Sequence, residues 1–297
     1  MKVIVTGGSG FVGKETINYL VRNGYNVFNY DLLEGYDVCN RALLEDIIEE
    51  GDKILHLAAV SRFKAADLDP QRAFSVNVGG TYNVLDIARK KGAERVVYSS
   101  TGSVYMPVQK TPITENHPIR GNSPYATSKA LADKLCQDFM GDNLKIVVLR
   151  YAHLYGPTKK RNAIYNFITR LDHGLKPMIY GGKQSNDFTY IKDVVQANLL
   201  ALETPNVNEC YNIGTGEEIP ILKAVNIIKD ILGSKEGFNI TASREVDPER
   251  FVFDISKARE KLGYEPQYKF EDGVRETIRL MKLEEYIRFY RSKDLKY

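Results

Sequence analysis

The chain has 297 residues, long enough for one large or two modest hydrophobic cores, and its 41 basic side chains barely exceed its 38 acidic ones. Such scattered, balanced charge excludes nucleic acid as the main partner, and the one basic cluster, Lys159-Lys160-Arg161, reads as a solvated loop. Three widely spaced cysteines, Cys39, Cys136 and Cys210, form no Cys-x-x-Cys pair, which excludes a disulfide framework or a zinc centre; no metal site is expected.

The first apolar run, residues 3–5, reads as a β-strand rather than a secretory signal, and no stretch approaches ~20 uninterrupted apolar residues. The expectation is a cytoplasmic protein with no membrane span. The strand runs into Gly7-Gly8-Ser9-Gly10-Phe11-Val12-Gly13, where Gly7, Gly10 and Gly13 let the backbone turn tightly and approach a phosphate at a helix N-terminus. A helical pattern follows over 12–23, closed by Gly24, and the strand over 27–30 ends at Asp31. An acid about 20 residues past the glycines suits the adenosine ribose hydroxyls and repels a 2′-phosphate, so NAD is expected rather than NADP.

Strands over 54–57, 96–99 and 146–150 alternate with helices over 41–50, 70–91 and 125–140, with Gly92 closing the second of these. This order predicts an α/β fold with a Rossmann-type doubly wound parallel sheet. The strand over 96–99 leads into Ser99-Ser100-Thr101-Gly102-Ser103, placing hydroxyls at the carboxyl edge where open α/β sheets bind ligands. Four residues apart on the next helix, Tyr125 and Lys129 project from one face, a phenol beside an ammonium that favours the phenolate a base requires.

Beyond residue 156 the regularity breaks at Gly156-Pro157, Gly174, Pro177 and Gly181-Gly182. A helix over 193–202 and a strand over 210–213 return to the main sheet, and helices over 225–232, 256–262 and 273–291 follow. The expected division is a dinucleotide-binding domain, 1–156 plus about 186–215, and a smaller discontinuous α/β substrate domain, about 157–185 plus 216–297.

The glycine turn, His56-Leu57-Ala58-Ala59, Asn77 before Val78-Gly79-Gly80-Thr81, the Ser/Thr cluster, Tyr125 with Lys129, and Leu149-Arg150-Tyr151-Ala152-His153-Leu154-Tyr155-Gly156-Pro157 together resemble the extended short-chain dehydrogenase/reductase family of NAD-dependent epimerases and dehydratases. Asp187-Phe188-Thr189-Tyr190-Ile191-Lys192-Asp193-Val194, Tyr211 to Gly216, Asp254 to Ala258 and Leu262 to Pro266 carry the resemblance nearly end to end. It implies an enzyme that holds NAD and acts on a nucleotide-sugar, a UDP-sugar first of all. It also implies a homodimer paired through the helices at 81–91 and 125–140.

By the same resemblance Thr101, Tyr125 and Lys129 form the catalytic set, Tyr125 being the base. Cofactor contacts are expected from Gly7, Gly10, Phe11, Val12 and Asp31, from Asp37 and Val38 near the adenine, and from Leu57, Ala58, Ala59 and Asn77. Ser99, Tyr125, Lys129 and Tyr151 complete that set. Thr101, Tyr125, His153, Arg244 and Asp247 are expected to bind substrate.

Within the family, 4,6-dehydratases carry Asp-Glu after the threonine and decarboxylases a glutamate two residues after it; this chain has Gly102 and Ser103. Epimerases like those of UDP-glucose and UDP-galactose, working through a 4-keto intermediate, are the expected branch, with a nucleotide-sugar 4-ketoreductase or a non-catalytic nucleotide sensor as alternatives. Three departures stand out. The segment between Asp31 and Asp37 is short, consistent with a missing strand; Asn186 replaces the usual arginine that forks onto a diphosphate; and His153 replaces a substrate-contacting asparagine.

Overall fold

The computed structural model describes residues 1–141, 143–158, 162–243 and 248–294, with side chains described up to residue 283. Six parallel strands form the central sheet in the spatial order Glu209–Ile213, Lys145–Tyr151, Arg95–Thr101, Lys53–His56, Val3–Thr6 and Val27–Tyr30. Strand residues alternate between two cores. Val3, Val5, Leu55, Val97 and Val147 join one, while Ile4, Ile54, Val96, Ile146 and Val148 join the other. Both faces are therefore buried, as a parallel sheet flanked by helices requires.

Helices Phe11–Arg22 and Ile191–Glu203 pack together, and Arg41–Ile47, Thr81–Lys91 and Pro124–Phe139 form a second packed set. Strand Val3–Thr6 lies between Val27–Tyr30 and Lys53–His56, so the winding direction reverses beside it and a crevice opens past its carboxyl end. The doubly wound fold expected from the sequence is present. Val27–Tyr30 is the sheet edge, and the chain runs from it through a single turn, Leu32–Glu34, to helix Arg41–Ile47 without another strand.

Three local differences have physical causes. The helix expected over 70–91 is Pro70–Phe74, a widened π-helical stretch Ser75–Gly80, and Thr81–Lys91. The stretch lies where Val38 packs so close to Gly80 that a Cβ there would sit 2.6 Å from the Val38 Cγ2. Helix Phe63–Leu68, too short for periodicity to reveal, packs on helix Pro124–Phe139. Helix Ala163–Asp172 occupies part of the segment whose glycines and prolines masked its pattern, and it packs on Ile221–Leu232.

Short strands surround the carboxyl edge of the main sheet. His153–Tyr155 pairs with Phe188–Tyr190, and Ser185–Asn186 lies between Ile219–Pro220 and Arg250–Phe251. Residue Ile113 bridges Phe253, tying this region to the segment that follows strand Arg95–Thr101. Helix Phe270–Asp294 ends the described chain, covering the helix expected at 273–291. No described helix is long and apolar enough to cross a membrane.

Candidate active site

The glycine turn needs its glycines for contact reasons. Gly7 has φ +69°, and a Cβ there would stand 2.7 Å from the Ala58 backbone nitrogen; one on Gly13 would stand 2.5 Å from the Gly8 Cα. The Gly10 amide donates to the Gly7 carbonyl at 3.0 Å, and helix Phe11–Arg22 starts from Gly10 with no side-chain cap and no acid in its first turn. An uncapped helix N-terminus behind a glycine turn is a site for a pyrophosphate. Phe11 and Val12 stand in that first turn, half-buried.

Asp31 is buried at the end of strand Val27–Tyr30. Its carboxylate accepts from the Ser9 amide at 3.0 Å and the Leu33 amide at 2.9 Å, which fixes it against the glycine turn with acceptor capacity to spare. Asp37 accepts from the Cys39 amide at 2.9 Å and from Arg72 at 3.1 Å, and these bonds hold its carboxyl below the usual range despite some desolvation. Val38 is buried, its carbonyl bound by Asn83 at 3.1 Å. Leu57, Ala58 and Ala59 follow strand Lys53–His56, with the Ala58 amide on the Thr6 hydroxyl at 3.2 Å.

Asn77 is buried, and its side chain bonds the Val60 amide at 2.8 Å, the Val60 carbonyl at 3.3 Å and the Ser128 hydroxyl at 2.9 Å. It therefore ties the loop after strand Lys53–His56 to helix Pro124–Phe139. Tyr151 is also inward-facing: its hydroxyl donates to Asn198 at 2.5 Å.

Ser123 caps helix Pro124–Phe139 by accepting from the Ala126 amide at 3.2 Å, and Pro124 supplies a preset φ at its first position. Tyr125 and Lys129 lie one turn apart along it, both buried. The Thr101 hydroxyl, at the end of strand Arg95–Thr101, caps the turn Gly102–Tyr105 through the Ser103 amide at 3.2 Å and stands beside the Tyr125 phenol. Burial pushes that phenol above its usual pKa, and the nearby Thr101 hydroxyl opposes the rise.

Lys129 differs from the expectation of an ammonium acting directly on the phenol. Its Nζ donates to the Ser99 carbonyl at 2.5 Å and stands 4.2 Å from the centre of the Tyr98 ring. Burial lowers its pKa to about 8. Phe63, on the helix that sequence periodicity missed, meets the Tyr125 ring edge-on at 4.9 Å.

His153 keeps exposed surface and lies edge-on to Phe251 at 4.9 Å and to Phe188 at 6.3 Å, and desolvation beside these rings disfavours its charged form. Its amide donates to the Asp187 carbonyl at 3.0 Å. The fully buried Asp187 carboxylate binds the amides of Thr215 at 2.8 Å and Gly216 at 3.0 Å, and the Thr215 hydroxyl at 2.8 Å. Asn186, where an arginine was expected, sits in register with Phe251; the neighbouring Arg250 pairs both its Nε and Nη2 with Glu218. Arg244 and Asp247, like Lys159-Lys160-Arg161, lie outside the described residues.

The site thus joins a dinucleotide cradle to a Thr-Tyr-Lys set across one sheet edge. Residues 3–214 match the family model described as the NAD dependent epimerase/dehydratase family. The chain belongs to this family. NAD is the cofactor of these enzymes, and the glycine contacts, the uncapped helix and the Asp31 carboxylate form a cradle that fits it. Among relatives of this epimerase/dehydratase chain, the Methanocaldococcus jannaschii protein named "Putative UDP-glucose 4-epimerase" is 32% identical, covering 94% of this chain and 98% of its own. UDP-glucuronic acid decarboxylase 1 of Xenopus tropicalis is 29% identical over 95% of this chain and 72% of its own. The crystal structure of Thermotoga maritima UDP-glucose 4-epimerase with UDP-glucose superposes with a TM-score of 0.89 at 30% identity, covering 96% of this chain and 99% of that one. The chain is accordingly a nucleotide-sugar enzyme of the epimerase/dehydratase type.

Proposed function

We propose that this protein is an NAD-dependent nucleotide-sugar 4-epimerase acting on a UDP-hexose of the UDP-glucose/UDP-galactose kind. The observation that carries the choice among family reactions is the surroundings of Gly102. A Cβ there would meet the Phe251 Cζ at 2.3 Å and the Phe253 Cζ at 2.8 Å, so a dehydratase's acid beside Thr101 would require both rings to shift. Residue 103, where a decarboxylase carries glutamate, is a serine whose amide is bound to the Thr101 hydroxyl.

Bound NAD supplies reversible hydride acceptance at the sugar's reacting carbon. Tyr125 takes the proton from the 4-hydroxyl and later returns it to the same oxygen, once the 4-keto sugar has turned so that hydride comes back to its other face, while Thr101 shares the hydrogen bond to that oxygen. Lys129, charged below a pKa of about 8, sustains a positive field at the buried helix face that carries the phenol. Gly7, Gly10, Phe11, Val12, Asp31, Asp37, Val38, Leu57, Ala58, Ala59 and Asn77 would form the cofactor cradle, with Ser99 and Tyr151 at its nicotinamide end. His153, Arg244 and Asp247 would face the substrate, in a smaller unit comprising about 157–185 and 216–297.

The same reading includes a cytoplasmic homodimer. Helices Thr81–Lys91 and Pro124–Phe139 expose Tyr82 and Leu131, and Tyr82 meets Phe139 edge-on at 6.0 Å, an apolar strip for a second copy. Sedimentation of the wild type beside Leu131→Glu tests the pairing.

The reaction is tested by following UDP-, dTDP- and GDP-sugars by NMR with trace NAD. Inversion at the 4-position without net NADH is the expected result, and Tyr125→Phe abolishes it while the protein still binds NAD. Stoichiometric consumption of NADH on a 4-keto sugar, with no inversion, would replace this reading with a ketoreductase.

A further inference from the structure

Three consecutive residues of one strand end grip one helix. Thr101 stands beside Tyr125, the Ser99 carbonyl takes the Lys129 ammonium, and between them the Ser100 hydroxyl donates to the Asp133 carboxylate at 2.5 Å. Tyr125, Lys129 and Asp133 follow one another at four-residue spacing, one stripe of helix Pro124–Phe139 about 12 Å long.

Asp133 has no exposed surface, and its two oxygens accept four bonds. Besides Ser100, Arg150 donates from Nε at 2.9 Å and Nη2 at 2.8 Å, and Gln137 from Nε2 at 2.8 Å. Arg150 is the residue in register with Ser100 on the neighbouring strand, and its remaining nitrogen donates to the Tyr105 hydroxyl at 2.7 Å and the Glu115 carbonyl at 3.1 Å. Tyr105 passes the chain on to Asn212 at 2.8 Å, at the end of the outermost strand. Two neighbouring strands meet the helix at this single carboxylate, and Arg150 extends the network to Tyr105, Glu115 and Asn212.

A buried ion pair is weak evidence for stability, because desolvating two charges offsets most of their attraction and apolar side chains of similar size hold a core equally well. Its directional, charge-assisted bonds do fix geometry. On the same helix Ala126, Ala130 and Ala132 are small and buried, and such short side chains fix its position along the axis less sharply than directional bonds do.

We propose that Asp133, held by Ser100 and Arg150, is a positioning residue that sets the axial register of the Tyr125/Lys129 helix against the Thr101 strand end. Asp133 touches neither sugar nor cofactor; it acts through Tyr125. The inference rests on Tyr125 being the base of the proposed reaction.

The test compares wild type, Ser100→Ala and the double variant Asp133→Leu/Arg150→Met in the NAD-loaded protein. Melting temperature, kcat and KM are measured for each, together with the Tyr125 phenolate titration, read by ultraviolet difference against the matching Tyr125→Phe protein. Ser100→Ala leaves the ion pair in place and should lower kcat ~10-fold with KM within about twofold; the double variant should lose ~100-fold in kcat even where its melting temperature matches the wild type. Both should raise the phenol's titration midpoint as the Thr101 hydroxyl, which opposes the rise caused by burial, moves away from it. Recovery of kcat with melting temperature in the double variant, or an unchanged kcat in Ser100→Ala, would overturn the proposal. The titration needs no sugar, so it decides the matter even if the 4-epimerase reading fails: an unmoved midpoint in both variants also overturns it.

Discussion

Phe251 closes over Gly102: its Cζ lies 2.3 Å from where a Cβ on residue 102 would stand, so the ring and the glycine are complementary halves of one contact. Gly102→Ala should therefore cost about 1–3 kcal/mol through overpacking. Thermal melts check this, and Phe251→Leu added to Gly102→Ala should recover part of the loss because the two positions couple directly. Additive losses would show that the ring moves away freely.

Lys129 is held below its ordinary pKa, at about 8, by burial. Below pH 8 both folded and unfolded chains carry the ammonium, and the folded state bears its full desolvation cost. Between about 8 and 10.5 the folded protein releases the proton while the unfolded chain keeps it, so this contribution to stability rises with pH across that window. In NAD-free protein Lys129→Met should raise stability by about 1–3 kcal/mol at pH 7, a gain that fades toward pH 10.5. Urea melts at several pH values measure the difference; a gain independent of pH would point to packing instead.

Asp31 binds the Ser9 and Leu33 amides and faces the glycine turn. Asp31→Ala should weaken NAD binding and relax the preference for NAD over NADP, which calorimetric titration with each cofactor reads directly. An unchanged ratio of the two affinities would leave Asp31 with the turn alone.

Asn77 makes three side-chain bonds that link the Val60 loop to Ser128. Asn77→Ala leaves buried partners unsatisfied and should cost about 1–3 kcal/mol, with faster loss of NAD on dialysis. Melting temperature and retained cofactor absorbance are the two measurements, and full NAD retention would confine Asn77 to structure.

Much of the architecture could be read before any coordinates. Alternating apolar strands and helices, the glycine turn and the four-residue spacing of Tyr125 and Lys129 are local patterns, and local patterns survive in a linear chain. The short connection after Asp31 likewise showed that the sheet edge would lack a strand. Helix Phe63–Leu68 was not legible, since six residues give no periodicity and its stability comes from packing on the Tyr125 helix. The π-helical widening at Ser75–Gly80 was hidden for a similar reason: Val38, far back in the chain, packs against it.

The sequence by itself determined the doubly wound fold, the use of NAD and the four-residue spacing of Tyr125 and Lys129, because strand alternation, turn geometry and helical spacing are set by near neighbours. Only the tertiary structure decided what those residues touch. Lys129 reaches the Ser99 carbonyl, Phe251 fills the space beside Gly102, and Arg150 meets Asp133 and Tyr105. These partners are distant in sequence and are brought together by packing of the sheet, its helices and the short strands around it, whose free energy is shared among many contacts and leaves no local signature.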